Sequence, residues 1–121
     1  MQALARSAAL PHGAAHVPEG GELPYMVVIV EVRPEHRQAL PAVTHVNGTS
    51  RVRTVSRVDN SDFHRLLVEV GLQTGREMVL NTSFNVKGQA IVDTPQQAIE
   101  TFLTTDIDMP HLGDTLVRRR R

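Results

Sequence analysis

Residues 44–55 read THVNGTSRVRTV, in which an Asn-Gly pair separates two segments rich in β-branched residues. Asn-Gly supplies the two positive-φ positions of a type I′ turn, so this stretch predicts a β-hairpin. The arms of the hairpin are Thr44–Val46 and Thr49–Val55. Arg51 and Arg53 are two residues apart in the second arm, and they therefore share one face of that strand.

Further strands are predicted on both sides of this hairpin. Tyr25–Val32, with the sequence YMVVIVEV, is almost continuously apolar, which predicts a central strand buried on both faces. Pro34 cannot donate to a strand ladder and is expected to end it. The remaining predictions are the short strands Met78–Leu80 and Ala90–Val92, and a last hairpin within Ile107–Val117 that turns at Gly113-Asp114.

Two helices are predicted from capping residues and from apolar residues at helical spacing. The first is capped by Asn60 or Ser61 and ends at Gly71 or Gly75. The second begins at Thr94-Pro95, an N-cap followed by proline at the first helical position. The predicted apolar faces are Phe63, Leu66, Leu67 and Val70 in the first helix, and Ala98, Ile99, Phe102 and Leu103 in the second. The order of elements predicts an α+β fold, a mixed twisted sheet with two or three packed helices.

The 121 residues suit a single small domain. Residues 1–24, rich in Ala, Gly, Pro and His, predict a flexible or loosely docked N-terminal arm. Residues 25–117 are predicted to form the domain itself. Residues 118–121 form a basic tail, which is either a solvated end or a contact for nucleic acid or an acidic partner.

Composition excludes several classes of function. The 13 basic and 13 acidic residues give a net charge of zero, so nothing draws the chain toward nucleic acid or a membrane surface. The chain has no Cys, which excludes disulfides, thiolate catalysis and cysteine-ligated zinc. No apolar run approaches the length of a bilayer span. We expect a cytoplasmic protein that binds neither nucleic acid nor membrane.

Polar side chains cluster directly after the predicted strand at residues 78–80. If the segment Asn81-Thr82-Ser83-Phe84-Asn85 is extended, Asn81, Ser83 and Asn85 share one side and Phe84 can anchor the segment in the core. Hydroxyl and amide groups can bind phosphate oxygens or a sugar. The alternative is a turn whose side chains satisfy their own backbone.

The second candidate cluster lies in the predicted hairpin. Arg51 and Arg53 could bind a phosphate or carboxylate, or they could form a solvated polar face. His45 could act as a general acid or base near neutral pH, or as a structural hydrogen-bonding group. Arg51 and His45 are the candidate catalytic residues. The other histidines lack metal-ligand spacing, so we expect no metal within this chain.

Three stretches resemble the C-terminal region of the O-carbamoyltransferase family, in truncated form. They are LPYM (Leu23–Met26), VRPEHRQALPAVTHVNGTSRVRTV (Val32–Val55) and LNTSFNVKGQAIVDTPQQAIETF (Leu80–Phe102), and the similarity runs from about Leu23 to Val117. The family includes the nodulation-factor, cephamycin and aminoglycoside-antibiotic carbamoyltransferases.

The resemblance implies a partial YrdC-like domain, which in that family joins carbamoyl phosphate and ATP into carbamoyl-adenylate. A separate Kae1-like domain with a metal ion then passes the carbamoyl group to a hydroxyl. Ser83-Phe84-Asn85 is similar to the family's adenylate-binding Ser-x-Asn, and Arg51 matches the arginine of its THVDGTAR stretch. The chain has no Lys-x-Arg pair. The substitutions within the matching stretches are Asn47 for the usual Asp, Ser50 for Ala, Arg53 for Gln and Gln89 for a common Glu.

These observations predict a subunit or fragment of an O-carbamoyltransferase in natural-product biosynthesis. Its nucleotide-binding residues would be Arg51, Arg53, Asn81, Ser83 and Asn85, with ATP and carbamoyl phosphate as possible substrates. We expect a second polypeptide or a homo-oligomer to complete the site. One alternative is a non-catalytic interaction module derived from that domain. Another is a small enzyme that reuses the pocket for a different small molecule.

Overall fold

A computed structural model describes residues 22–120 and the backbone of residues 2–6. The chain divides into two compact units, Met1–Thr82 and Ser83–Arg121. The first unit contains β1 (Gln2–Arg6), β2 (Ile29–Glu31), α1 (Pro34–Arg37), β3 (Thr49–Val55), α2 (Ser61–Thr74) and β4 (Met78–Asn81). The second contains α3 (Pro95–Thr104), β5 (His111–Leu112) and β6 (Thr115–Leu116). This combination of helices and strands confirms the predicted α+β class.

The sheet of the first unit has the strand order β2-β3-β1-β4. β3 runs antiparallel to β2 and parallel to β1, and β1 runs antiparallel to β4. The sheet is therefore mixed, as predicted.

The hairpin prediction was right for β3 and wrong for its partner. Thr44–Val46 is not a strand, and β3 pairs instead with β2, where Val30 lies opposite Ser50. The turn is also displaced by one residue, because the Gly48 amide donates to the His45 carbonyl at 2.9 Å. Residues 46 and 47 are thus the central pair of this turn, and Gly48 follows it with a φ of 80°.

The long apolar stretch Tyr25–Val32 was expected to be a central strand buried on both faces. Only Ile29–Glu31 is a strand, and it is the edge strand of the four. Val30 is 4% exposed while Ile29 is 55% exposed, so one face of β2 is covered and the other is open. The predicted short strand Ala90–Val92 is irregular backbone.

The structure describes the backbone of five residues within the predicted N-terminal arm. Gln2–Arg6 forms β1, which lies between β3 and β4 with Ala3 in register with both Val52 and Leu80. Residues 7–21 of the predicted arm lie outside the described residues.

The core of the first unit lies on one face of β2 and β3. Leu23, Val30, Val43 and Val52 form a buried cluster, with Val28 and Leu40 packed against it. Two hydrogen bonds join Leu23 to β3: its amide donates to Thr54 Oγ1 at 2.6 Å, and its carbonyl accepts from the Thr54 amide at 2.8 Å. The segment before β2 is thereby fixed to the middle of the sheet.

The caps of α2 agree with prediction. Asn60 is the N-cap, and its side chain accepts a hydrogen bond from the Phe63 amide at 2.9 Å. Gly75 ends the helix in the left-handed conformation that glycine adopts readily. Leu67 is fully buried as predicted, whereas Leu66, which was expected on the same apolar face, is 49% exposed.

The second unit is built around α3. Thr94 caps it as predicted by accepting from the Gln97 amide at 3.2 Å, and Pro95 follows at the first position. Its buried residues are Ala98, Thr101 and Phe102. Ile99 and Leu103, predicted on this face, are 37% and 63% exposed. The last hairpin is confirmed, since β5 pairs antiparallel with β6.

Arg119, in the basic tail, contacts the end of α3. Its Nη2 donates to the Phe102 carbonyl at 2.6 Å and also to the Thr105 carbonyl. Its guanidinium lies over the Phe102 ring, 5.0 Å from the centroid. These carbonyls belong to the C-terminal end of α3, where unpaired acceptors favour a cation. Arg121 lies outside the described residues.

No helix among the residues that the structure describes is long and apolar enough to cross a bilayer.

Ser50 and Thr54 offer a matched test of the buried face of β3. Both are nearly fully buried, but Ser50 Oγ has no hydrogen-bond partner among the described residues, whereas Thr54 Oγ1 accepts from the Leu23 amide. Ser50→Ala should raise the free energy of unfolding by about 1 kcal/mol, because it removes an unsatisfied buried hydroxyl. Thr54→Val should lower it by about 1–3 kcal/mol, because it leaves the Leu23 amide unpaired. Urea denaturation of both variants measures this, and a destabilised Ser50→Ala would contradict the assignment.

Arg119→Ala should destabilise the end of α3 by about 1 kcal/mol, through loss of hydrogen bonds to helix-terminal carbonyls and of the contact with Phe102. Hydrogen exchange of the α3 amides is the appropriate measurement because it resolves the second unit from the first. Arg120→Ala is the matched control, since Arg120 is an exposed neighbour in the same tail. Equal exchange rates in the two variants would show that Arg119 does not act as a cap.

Candidate functional site

The two arginines of β3 lie on its exposed face. Burial alternates along the strand, so that Val52 and Thr54 are buried while Arg51 and Arg53 are exposed. Neither guanidinium has a hydrogen bond or ion pair with any residue that the structure describes. Two unpaired cations on one rigid strand form a surface that can bind an anion through several hydrogen bonds.

Asn81, predicted from a distant part of the sequence, lies in the same row of the sheet as Arg51. Arg51 is in register with Ile29 on one side and with Gln2 on the other, and Gln2 is in register with Asn81. Two strand spacings separate Arg51 from Asn81, about 10 Å between their backbones. The Asn81 side chain donates to Met26 Sδ at 3.4 Å, so the segment before β2 also reaches this row.

The turn before β3 is held together by its own polar groups. Asn47 Oδ1 accepts from the Thr49 amide at 3.2 Å and from Thr49 Oγ1 at 2.7 Å. The His45 amide donates to the Thr49 carbonyl at 2.7 Å. The His45 side chain is half-buried and has no hydrogen-bond partner among the described residues. Its backbone therefore has a structural role, and its role as an acid or base stays a prediction.

Arg37 was not singled out from the sequence, although it supports this turn. Its Nε donates to the Val32 carbonyl at 2.8 Å, and its Nη2 pairs with Glu31 at 3.0 Å. A Cβ placed on Gly48 would lie 2.5 Å from the Arg37 Cζ, so the guanidinium occupies the space that any other residue at this position would need. Apolar periodicity could not reveal such a contact, because it joins a polar side chain to a glycine.

Ser83 and Asn85 belong to the second unit, whereas Arg51, Arg53 and Asn81 belong to the first. Ser83 is exposed. Asn85 Nδ2 donates to the Gln89 carbonyl at 3.1 Å, so this amide closes its own loop, which is the alternative that the sequence left open. Phe84 is half-buried, and its carbonyl accepts from the Val92 amide at 2.9 Å. These two hydrogen bonds fix the loop. The Ser83 hydroxyl and the side-chain oxygen of Asn85, Oδ1, remain able to bind other groups.

The described residues contain no group of three His, Cys, Asp or Glu side chains placed to hold a metal ion.

Comparison with known proteins tests the resemblance noted from the sequence. The family model for the carbamoyltransferase C-terminus matches residues 4–119. The match begins within β1, so it extends beyond the three similar stretches given above, which begin at Leu23.

Three relatives illustrate the range of the family. Nodulation protein NolNO of Sinorhizobium fredii is 43% identical over 82% of this chain and 15% of its own length. Nodulation protein NolO of Bradyrhizobium diazoefficiens is 42% identical over 86% of this chain and 19% of its own length. The 3′-hydroxymethylcephem-O-carbamoyltransferase of Amycolatopsis lactamdurans is 35% identical over 84% of this chain and 19% of its own length.

This chain thus spans less than one fifth of the length of each of these relatives. The family model extends from within the first strand to Arg119. The resemblance drawn from the three sequence stretches is confirmed, and the chain belongs to the carbamoyltransferase C-terminus family.

Proposed function

We propose that this chain contributes an anion-binding surface to an O-carbamoyltransferase that uses ATP and carbamoyl phosphate, in a biosynthetic pathway for a natural product. Two findings support the proposal. The chain belongs to the carbamoyltransferase C-terminus family, and one of its relatives is named as a 3′-hydroxymethylcephem-O-carbamoyltransferase. The observation that carries the proposal is the pair of exposed, unpaired guanidiniums of Arg51 and Arg53 on one face of β3. Catalysis would require the parts that the longer relatives contain beyond this span.

The chemistry of adenylate formation explains why such a surface is useful. Making carbamoyl-adenylate from ATP, carbamoyl phosphate and one molecule of water releases diphosphate and phosphate, so negative charge develops on oxygens bonded to phosphorus. Guanidinium groups stabilise that charge, and they do so most effectively when a rigid element positions them before the reaction. β3 meets this requirement because it is paired on both sides, with β2 and with β1.

The other predicted residues have secondary parts in this proposal. Ser83 offers a free hydroxyl and Asn85 a free carbonyl oxygen for contacts with a nucleotide, and Asn81 lies in the row of Arg51. We assign His45 the role of general acid or base because its ring has no partner among the described residues. The cytoplasm is the compartment that we propose, in keeping with a chain without Cys.

Arg51→Ala should weaken binding of ATP, and of a non-hydrolysable carbamoyl-adenylate mimic, by about tenfold to a hundredfold, since a hydrogen bond to a charged group contributes about 1.5–3 kcal/mol. Isothermal titration calorimetry of the purified chain measures the change. Arg57→Ala is the matched control, because Arg57 is an exposed arginine shortly after the same strand. Equal affinities for the two variants would refute the assignment of Arg51, and Ser83→Ala tests the second unit in the same way.

A second polypeptide or a second copy of this chain is the partner that we propose. The supporting observation is the number of large apolar side chains left exposed in the first unit, including Tyr25 at 71% and Val27 at 80%. This observation equally suits the alternative of a non-catalytic interaction module. Sedimentation velocity across a wide concentration range should show self-association, or a complex with the protein that carries the remaining carbamoyltransferase regions. A chain that stays monomeric and binds no such protein would contradict both proposed partners, the second copy of this chain and the second polypeptide.

A further inference from the structure

A polar groove of about 530 Å³ lies along one flank of α3, within the second unit. This volume falls within the range of small-molecule sites, about 300–1,000 Å³. The residues that α3 contributes are three or four positions apart, so they share one flank of the helix. They are Gln97, Glu100, Thr101 and Thr104, and the loop before α3 adds Gln89, Ala90 and Val92.

The loop that forms the second wall is fixed by three hydrogen bonds. The Gln89 amide donates to the Val86 carbonyl at 2.9 Å, and the Gln89 carbonyl accepts from Asn85 Nδ2 at 3.1 Å. The Val92 amide donates to the Phe84 carbonyl at 2.9 Å. A ligand therefore does not have to order this wall when it binds, which removes one cost of binding.

Thr101 places an unused hydroxyl in the groove. The residue is 6% exposed, and its Oγ1 has no hydrogen-bond partner among the described residues. Among those residues, Ser50 Oγ is the one side-chain atom that is both sealed from solvent and unpaired, so Thr101 Oγ1 keeps contact with solvent. Because Thr101 lines the groove, this contact is open to a ligand. A nearly buried hydroxyl without a partner is costly, and a ligand that bonds to it recovers that cost.

Three exposed side chains add further free atoms for hydrogen bonding. Gln97 Oε1 accepts from the Asp93 amide at 3.2 Å, which leaves the Gln97 Nε2 to donate. Glu100 Oε1 accepts from Gln96 Nε2 at 3.0 Å, which leaves the other carboxylate oxygen to accept. The Gln89 side-chain amide has no hydrogen bond with any described residue. The groove thus offers donors and acceptors together.

The lining of this groove also excludes several classes of ligand. Glu100 is the one charged side chain among the described lining residues, so the groove repels phosphates and carboxylates. That lining contains no aromatic ring on which a planar base could stack. A sugar fits instead, because each of its hydroxyls both donates and accepts, and its C–H groups can pack against Ala90 and Val92.

We propose that this groove binds a pyranose sugar, with Glu100 as the acceptor for two adjacent hydroxyls and with Thr101 and Gln89 as partners for a third. A protonated amino group in place of one hydroxyl should strengthen binding, because it forms a charge-assisted hydrogen bond with Glu100. These three residues lie in the second unit, and none of them has a part in the proposed function. The sugar site can therefore fail without consequence for the anion-binding surface.

NMR titration of the full chain with methyl β-D-glucopyranoside, and with glucosamine below neutral pH, tests for the site. We expect saturable shifts of the backbone amides and methyl groups of Ala90, Val92 and Thr101. Glucosamine should bind about threefold more tightly than the uncharged glycoside, as an exposed ion pair contributes little. A chain whose signals at these residues do not respond to either sugar has no such site.

Thr101→Val tests the nearly buried hydroxyl with little change of shape. It should weaken binding of both sugars by about threefold to tenfold, through loss of one hydrogen bond. Thr115→Val is the matched control, because Thr115 is an exposed threonine of the same unit that does not line this groove. Equal affinities in these two variants would overturn the assignment of Thr101.

Gln89→Ala and Lys87→Ala decide the matter if Thr101→Val fails to fold. Both residues are exposed in one loop, but only Gln89 lines the groove. Its side chain makes no hydrogen bond with a described residue, so its removal should leave the fold intact. Binding of both sugars should weaken in Gln89→Ala and be retained in Lys87→Ala, and equal binding to the two variants would reject the groove.

Glu100→Gln separates the charge of the groove from its shape. The variant keeps an acceptor oxygen, so the glycoside should bind with similar affinity while the preference for glucosamine disappears. Asp106→Asn is the matched control, since Asp106 is an exposed acid of the same unit outside the groove. A preference for glucosamine that survives in Glu100→Gln would show that the amine binds elsewhere and would contradict the role of Glu100.

Discussion

The register of β3 is the constraint on which the first unit depends, and Gly48 determines it. This residue has a φ of 80°, which residues with a side chain rarely adopt, and it lies under the Arg37 guanidinium, which any side chain here would have to displace. Its carbonyl accepts from the Val32 amide at 2.9 Å, which joins the turn to the end of β2. Because side chains alternate along a strand, a slip of one residue would place Arg51 and Arg53 in the core and expose Val52. The same register thus produces both the buried cluster and the cationic face.

Local signals in the sequence were sufficient for the caps of α2 and α3, whereas α1 and the strand pairing of the sheet were not predicted. Asn60, Gly75 and Thr94 were identified as caps because a cap is decided by residues within one helical turn. Strand pairing is decided by contacts between distant segments, so the neighbour of β3 could not be read from residues 44–46. β1 was the hardest element to predict: its sequence, QALAR, contains no β-branched or aromatic residue, and only its two flanking strands make it a strand.

The part of the candidate site that was predictable is the part that follows from the alternation of side chains along a strand. The shared face of Arg51 and Arg53 came from spacing, and the row that joins Arg51 to Asn81 required the register of three strands. The contact of Arg37 with Gly48 could not have been inferred, because no periodicity relates a surface arginine to a glycine. The contact of Arg119 was missed for a similar reason, since it depends on the carbonyls of Phe102 and Thr105, which lie 17 and 14 residues before it in the sequence.

The positions at which this chain departs from the family's usual residues have different physical consequences. Asn47 in place of Asp keeps the acceptor oxygen that binds the Thr49 amide and hydroxyl, so the turn survives the exchange. Ser50 in place of Ala adds a hydroxyl without a partner among the described residues, which affects stability and leaves the exposed face unchanged. Arg53 in place of Gln is different, because it adds a full charge about 7 Å along the strand from Arg51. Two cations at that separation attract a multiply charged anion more strongly than one cation beside an amide does. Of these three departures, only Arg53 changes the chemistry of the proposed binding surface. It adds positive charge, which favours binding of phosphate groups.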